Sequence, residues 1–160
     1  MQHSFSFRAL NLAAGLILTA SALASCGEES SGPATPDLPE ATLHASILDS
    51  GDIDVRIAVP DRHHAYLDAG REGVLIPVSF DWDLPGQAAA PKTTVAPIGD
   101  MYEDAGARVL RGMGRWVFQP AQGVDTGEVN IRTQICDEVK GVCSPPQKKT
   151  LTLKKAGASS

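Results

Sequence analysis

Apolar and polar residues alternate with a period of two in three separate segments, and this pattern constrains the fold more than any other feature of the sequence. The segments are 53–59, 76–82 and 129–135, and each places branched or aromatic side chains at every second position. Such alternation is typical of a β-strand with one buried face, because successive side chains of a strand point to opposite sides. We therefore predict a protein built from antiparallel strands.

Weaker strand patterns occur elsewhere, with Gly-, Pro- and Asp-containing turns between them. They cover residues 42–48, 63–67, 93–98, 115–119 and 149–153. About eight short strands at this spacing predict an all-β protein with an antiparallel β-sandwich. Pro77 cannot donate a hydrogen bond, so we expect its strand at a sheet edge or at a bulge. Residues 101–110 are the stretch in which a helical turn is expected.

The first 25 residues have the pattern of an export signal. Arg8 is their single formal charge, and the uncharged stretch that follows is too short and too polar for a membrane span. Leu23-Ala24-Ser25-Cys26 resembles a bacterial lipobox, in which the signal peptide is cut before the cysteine and the cysteine is lipidated. The alternative is an ordinary signal peptide with Cys26 near its cleavage site.

The lipobox interpretation divides the chain into four parts. Residues 1–25 are the lipoprotein signal peptide, and residues 26–40 are the lipidated Cys26 with a flexible tether rich in Pro, Gly, Ser and Glu. Residues 41–155 form the β-sandwich domain, and 156–160 are a disordered tail. We expect a periplasm-facing protein that contacts the membrane through its lipid anchor alone. Gly27, in place of a retention Asp, favours the outer membrane over the inner.

Charge and composition exclude several classes of function. The chain has 14 Lys and Arg against 19 Asp and Glu, a formal net charge of −5. No basic surface is therefore expected that could displace the counterions of a nucleic acid. The mean hydropathy of −0.08 excludes a polytopic membrane protein.

Three cysteines occur in the sequence. Lipidation of Cys26 leaves Cys136 and Cys143 as an even pair in an oxidising compartment. Cys136 has the parity of the polar residues of its strand, so we do not expect it to link two sheets. Both cysteines lie at the strand ends of one hairpin, which suits reversible exchange with a reachable sulfur better than a structural staple. A passive hairpin disulfide remains the alternative. A metal site with His63 and His64 is a third, although the spacing does not match usual zinc sites.

Two short motifs around these cysteines resemble a known family. Gln134-Ile135-Cys136, followed by Val142-Cys143-Ser144-Pro145-Pro146 and then Lys149-Thr150-Leu151-Thr152-Leu153, is similar to the active-site hairpin of the periplasmic N-terminal domain of the thiol:disulfide interchange protein DsbD. The resemblance implies an immunoglobulin-like sandwich with a redox-active cysteine pair and no cofactor or metal. It also implies a protein-disulfide reductase activity, with electrons passing between a membrane electron transporter, thioredoxin-fold proteins and oxidised clients.

The same resemblance implies roles for residues outside the hairpin. His63-His64-Ala65-Tyr66 is similar to the family's aromatic strand beside the active site, and Asp100-Met101-Tyr102-Glu103 to its cap loop. We therefore expect Tyr66, Met101 and Tyr102 to shield the disulfide, although ordinary packing explains each tyrosine and a surface position each histidine.

Further expectations concern the chemistry of the pair. The resemblance implies that Cys143 forms the mixed disulfide and that Cys136 resolves it, and Pro145 and Pro146 favour a protruding chain beside Cys143. We expect the nearby acidic side chains to disfavour the thiolates, namely Asp100, Glu103, Asp137 and Glu138. The protein would act in trans as a lipid-anchored module. The rival hypothesis is an envelope binding or structural module whose disulfide is inert.

Overall fold

This computed structural model describes residues 38–155 of the chain. These residues form twelve β-strands and no helix. The strands are β1 (Thr42–Ile47), β2 (Ile53–Ala58), β3 (His63–Tyr66), β4 (Ser79–Asp83), β5 (Lys92–Val95), β6 (Asp100–Tyr102), β7 (Ala107–Leu110), β8 (Met113–Gln119), β9 (Thr126–Thr133), β10 (Ile135–Asp137), β11 (Val142–Cys143) and β12 (Gln147–Lys154). Four predicted features lie outside the described residues: the signal peptide, the lipidation site Cys26, the tether up to residue 37 and the tail 156–160. Residues 38–155 contain no helix long and apolar enough to cross a membrane.

The strands form three antiparallel sheets. Their orders are β1-β2-β8-β5, β11-β10-β3-β7-β6 and β12-β9-β4. We call them the first, second and third sheet. Chain continuity joins the last two, because β9 of the third sheet leads into β10 of the second after one residue, Gln134. The architecture is the all-β sandwich that the alternating pattern predicts.

One apolar core lies between the sheets. Ile53, Val55 and Ile57 of β2 are fully buried, as are Val129 and Ile131 of β9. The first sheet also contributes an aromatic contact to the third, since the ring centroids of Trp82 and Phe118 lie 4.7 Å apart. Side chains of all three sheets thus meet in a single cluster, which is the packing expected of a sandwich.

Most predicted strands are present, with shifted ends. Pro77 precedes β4, which is an edge strand of the third sheet, so the expectation from its missing amide hydrogen is confirmed. The helical turn expected within 101–110 is wrong. Those residues contain β6, a turn and β7, because Tyr102 pairs with Ala107 across a tight hairpin. About eight strands are predicted, and the structure has twelve. The four additional strands are the short ones, β6, β7, β10 and β11.

The strand predicted over residues 129–135 is divided in the structure. β9 ends at Thr133 and pairs with β12 and β4, whereas β10 begins at Ile135 and pairs with β3 and β11. The division transfers the chain from the third sheet to the second. It is the step that brings Cys136 beside β3.

Gly99 allows the chain to enter β6, and its replacement should show how strongly that strand depends on close packing. Its φ of 69° is left-handed, and an added Cβ would lie 2.7 Å from the carbonyl oxygen of Val109 and collide with Leu67. Gly86 has a similar φ of 74° but open space around it. We predict that Gly86→Ala lowers the free energy of unfolding by about 1–2 kcal/mol, the cost of the left-handed conformation. Gly99→Ala should cost clearly more, as measured by urea denaturation, and equal losses would contradict the collision.

Candidate functional site

The two cysteines form a disulfide across the hairpin of β10 and β11. Cys136 and Cys143 are directly paired in the strand register, and their Cα atoms lie 3.9 Å apart. On the other side of β10, Cys136 pairs with His64 of β3. Residues opposite each other in an antiparallel ladder point to the same face. The disulfide and His64 therefore share one face of the second sheet.

Asp137 shapes the loop between the two cysteines. Its Oδ1 accepts hydrogen bonds from the backbone N–H groups of Val139 (2.8 Å) and Lys140 (2.9 Å). These two donors lower the pKa of the Asp137 carboxyl below its ordinary value, because they stabilise the ionised form. Gly141 then closes the turn with a left-handed φ of 65°. The loop is thereby held in one compact conformation.

Ser144 fastens the hairpin immediately after Cys143. Its backbone N–H donates to the carbonyl of Ile135 at 2.8 Å, and its hydroxyl accepts from the N–H of Ile135 at 3.2 Å. The side-chain amide of Gln134 donates to the carbonyl of Ser144 at 2.9 Å. These three hydrogen bonds join the residue that follows Cys143 to the two residues that precede Cys136, and so they close the base of the cysteine hairpin.

Cys136 and Cys143 differ sharply in exposure. Cys143 is exposed, whereas Cys136 is only 2% exposed. The sequence predicts a reachable Cys143 and a more firmly held Cys136, and the exposures have this order. Cys136 does face away from the main core, but a second apolar cluster covers that face, and strand alternation alone does not show such a cover.

Tyr66 and Tyr102 are the aromatic side chains of this second cluster, and we call these two residues the aromatic cover. Tyr66 is buried in one cluster with Cys136, Ala107 and Val109, and Tyr102 packs against that cluster from β6. Burial raises the pKa of the Tyr66 phenol, and the neighbouring Tyr102 adds to the effect, so Tyr66 is neutral at physiological pH. The structure therefore brings both predicted shielding tyrosines to the cluster that contains Cys136.

Met101 is placed differently. It pairs with Arg108, whereas Tyr102 pairs with Ala107, so Met101 points to the opposite face of β6 from Tyr102. Its side chain is 50% exposed. The structure does not bring Met101 to the cluster around Cys136.

His64 is a residue of the site that its surface interpretation missed. It is 2% exposed, and its ring centroid lies 5.0 Å from those of both Tyr66 and Tyr102. Burial lowers the pKa of His64, an effect that Glu138 opposes and Arg111 reinforces. The sequence contains a signal for this placement, because His64 and Tyr66 are two residues apart and therefore lie on the same face of their strand.

Arg111 connects the cover to the cysteine loop. Its Nε donates to Glu138 Oε1 at 2.5 Å and its Nη1 to Asp100 Oδ2 at 3.2 Å. Those hydrogen bonds raise the pKa of the guanidinium, which is charged throughout the physiological range. Two of the four acidic side chains expected to disfavour the thiolates are thus paired with Arg111, and a third, Asp137, lies 3.9 Å from Lys140 Nζ. Nothing in the sequence around Arg111 indicated this contact.

Residues 38–155 include no group of three or more His, Cys, Asp or Glu side chains arranged to hold a metal ion. His63 instead directs its Nδ1 to the carbonyl of Asp61 at 2.8 Å, and its Nε2 lies 3.9 Å from Asp137. The chemistry available at the site is that of the disulfide, the buried imidazole and the surrounding ion pairs.

The placement of Tyr102 and Met101 makes a test of shielding possible. We predict that Tyr102→Ala speeds reduction of the disulfide by a small thiol several-fold, because it opens Cys136 to attack in addition to the exposed Cys143, and access to a sulfur controls the rate. Met101→Ala is the matched control from the same strand and should leave the rate unchanged. Reduction can be followed by thiol labelling at intervals, with circular dichroism to check the fold. A rate that Tyr102→Ala does not alter would show that the tyrosine is not a cover.

Comparisons with known proteins bear on the fold. No family model matches the chain, and no curated protein matches it significantly. The reduced N-terminal domain of DsbD from Neisseria meningitidis superposes with a TM-score of 0.49 at 22% identity, covering 75% of this chain and 91% of that chain. A chain of the complex between the DsbD and PilB N-terminal domains, also from Neisseria meningitidis, superposes with a TM-score of 0.51 at 16% identity, covering 73% and 87%.

The second superposition agrees with the all-β architecture of antiparallel sheets. At such identities the likeness concerns the backbone arrangement. By the second superposition, the chain has the immunoglobulin-like fold of the DsbD N-terminal domain.

Proposed function

We propose that this protein exchanges disulfides with thioredoxin-fold proteins of the periplasm through Cys136 and Cys143. The observation that carries the proposal is the asymmetry of the pair: an exposed Cys143 is bonded to a Cys136 that is buried beneath an aromatic cover. Exchange requires one sulfur that a partner can reach and a second thiol kept close to it. A hairpin disulfide with this asymmetry meets both requirements.

The exchange proceeds in two displacements. A thiolate of a reduced partner attacks Sγ of Cys143, the Cys136–Cys143 bond breaks, and Cys136 leaves as a thiolate. The partner's second thiol then attacks the mixed disulfide, so the partner becomes oxidised and both cysteines are reduced. Delivery to an oxidised client runs in the opposite direction, and two electrons pass to the client with the formation of the Cys136–Cys143 bond.

The surface beside Cys143 suits a protein partner. Val139 is 72% exposed and Val142 37% exposed, and both lie in the same hairpin as the disulfide. Exposed apolar side chains next to a reactive group are typical of a surface that a partner covers. The fold supports this further, since the similar DsbD N-terminal domain is known in a complex with the PilB N-terminal domain.

We further propose that the domain is tethered to the envelope by lipid on Cys26 and receives electrons from a membrane electron transporter. The support is the Leu23-Ala24-Ser25-Cys26 motif followed by a Pro- and Ser-rich stretch. Gly27 favours the outer membrane as the site of the anchor. A tether keeps the domain near the membrane, which raises its effective concentration at a membrane-bound donor.

Trapping of covalent complexes tests the exchange. Cys136→Ser leaves the exposed Cys143 without its resolving thiol, so it should accumulate mixed disulfides with a thioredoxin-fold protein from a periplasmic extract. Cys143→Ser is the matched variant and should trap little, because its remaining thiol is buried. Complexes are detected on non-reducing gels and identified by mass spectrometry. If neither variant traps a thioredoxin-fold protein and the wild-type bond resists a reductant of periplasmic strength, the disulfide is structural and the domain is a binding module.

Removal of the proposed lipid site tests the anchor. Cys26→Ala should yield a folded protein without a lipid anchor, which is either found in the soluble fraction or retains its signal peptide. Mass spectrometry of the wild-type amino terminus supplies the direct measurement. A wild-type Cys26 with a free thiol in the soluble periplasmic fraction would refute the lipoprotein assignment while leaving the exchange untouched.

A further inference from the structure

The side chain of His64 is buried on the face of β3 that carries the disulfide. Its ring lies between Tyr66 and Tyr102, and within residues 38–155 neither ring nitrogen makes a hydrogen bond of ordinary geometry. The nearest carboxylate oxygen, Glu138 Oε1, lies 3.5 Å from Nδ1. A buried polar atom without a partner costs free energy, and it persists where another state of the protein supplies the partner. Reduction of the disulfide creates such a partner, since it places a thiol on Cys136, the residue opposite His64 in the strand register.

We infer that His64 is the proton acceptor for the Cys136 thiol when Cys136 resolves a mixed disulfide on Cys143. This inference rests on the proposed exchange function and assigns one of its proton transfers. Cys136 is buried among apolar side chains, where the thiolate is disfavoured, so its attack on Cys143 needs a base nearby.

The other bases around the hairpin are already engaged. Glu138 accepts a hydrogen bond from Arg111, and Asp100 accepts another from the same guanidinium. Asp137 accepts two backbone N–H groups of its own loop. His63 directs its Nδ1 to the carbonyl of Asp61, and its Nε2, which also lacks a hydrogen bond within residues 38–155, lies 3.9 Å from Asp137. His63 pairs with Asp137 rather than with Cys136, so it points to the opposite face of β3 from His64. His64 is therefore the unpaired base on the face that carries the disulfide.

Glu138 prepares His64 for this role. Its Oε1 lies 3.5 Å from Nδ1, so it favours the tautomer with the proton on Nδ1 and leaves the lone pair on Nε2. Because burial lowers the pKa of His64, the ring is neutral and able to accept a proton at neutral pH. Once protonated, the imidazolium is stabilised by the same carboxylate.

The step balances in protons and electrons. The Cys136 thiol transfers its proton to His64, and its electron pair attacks Sγ of Cys143. The bond between Cys143 and the partner sulfur breaks, and the partner leaves as a thiolate. Two protein thiols are oxidised and the partner disulfide is reduced to two thiolates, after which His64 loses its proton to solvent.

An aromatic disulfide reagent isolates this step without a protein partner. Cys143 of the reduced protein attacks it and releases one coloured thiolate, and Cys136 then closes the ring and releases a second. Stopped-flow absorbance resolves the two releases. We expect His64→Phe, which keeps the aromatic packing, and His64→Gln, which keeps polarity, to slow the second release by about tenfold or more at neutral pH, the scale of general-base catalysis. The first release should change by less than a factor of about two.

The pH profile separates base catalysis from a change of packing. In the wild type, the second release should slow as pH falls through the pKa of His64, below its ordinary value of 6.5, and both variants should lack that inflection. His63→Gln is the matched control and should retain it. The charged and titratable groups that face His64 across the adjoining strands are the same in all four proteins: Tyr66, Asp100, Tyr102, Arg111 and Glu138. His63→Gln changes the neighbouring His63 alone.

Two outcomes would overturn the inference. One is a second release within a factor of about two of the wild type in both folded His64 variants, and the other is an equal loss in His63→Gln. Because the reagent replaces the partner, the result is independent of the trapping experiment. A slow second release without any trapped protein would retain the role of His64 and reject the proposed exchange with thioredoxin-fold proteins, and the converse would reject the role of His64 alone.

Discussion

The pairing of β10 with β3 is the contact on which the candidate site depends. It sets Cys136 opposite His64 and Ile135 opposite Ala65, so one face of β10 joins the main core while the other lies under the aromatic cover. Without the break at Gln134, β9 would continue in the third sheet and Cys136 would lie on its polar face. Two-sided burial of such a short strand holds the inner sulfur firmly and leaves Cys143, on the outer strand, exposed.

Electrostatics at the site follow from the same arrangement. Arg111 holds Asp100 of the cover strand and Glu138 of the cysteine loop together, so the acidic groups near the disulfide act as an ion-paired network rather than as free like charges. These pairs are partly exposed, and exposed ion pairs contribute little to stability. Instead, they fix the position of the cysteine loop relative to β6 and hold the carboxylate of Glu138 beside the ring of His64.

Several elements were predictable because their information is local. β2 and β12 follow from alternation or strand propensity, and the edge position of β4 follows from the missing amide hydrogen of Pro77. The short strands β6 and β7 were not predictable in this way, since each has fewer than five residues and pairing across a hairpin decides their conformation. For the site, the hairpin motif located both cysteines, yet Tyr102 and Met101 could be separated only by knowing which face of β6 meets the second sheet.

By itself, the sequence determined the period of two, hence an all-β chain, and the placement of two cysteines around one short loop. It also determined the parity that sets Cys136 apart from Ile135. Only the tertiary structure decided that the polar-parity face is covered, that His64 lies under that cover and that Arg111 connects it to the loop. The physical reason is that parity states which side of a strand a residue occupies, whereas burial depends on what packs against that side, and residues distant in sequence supply that packing.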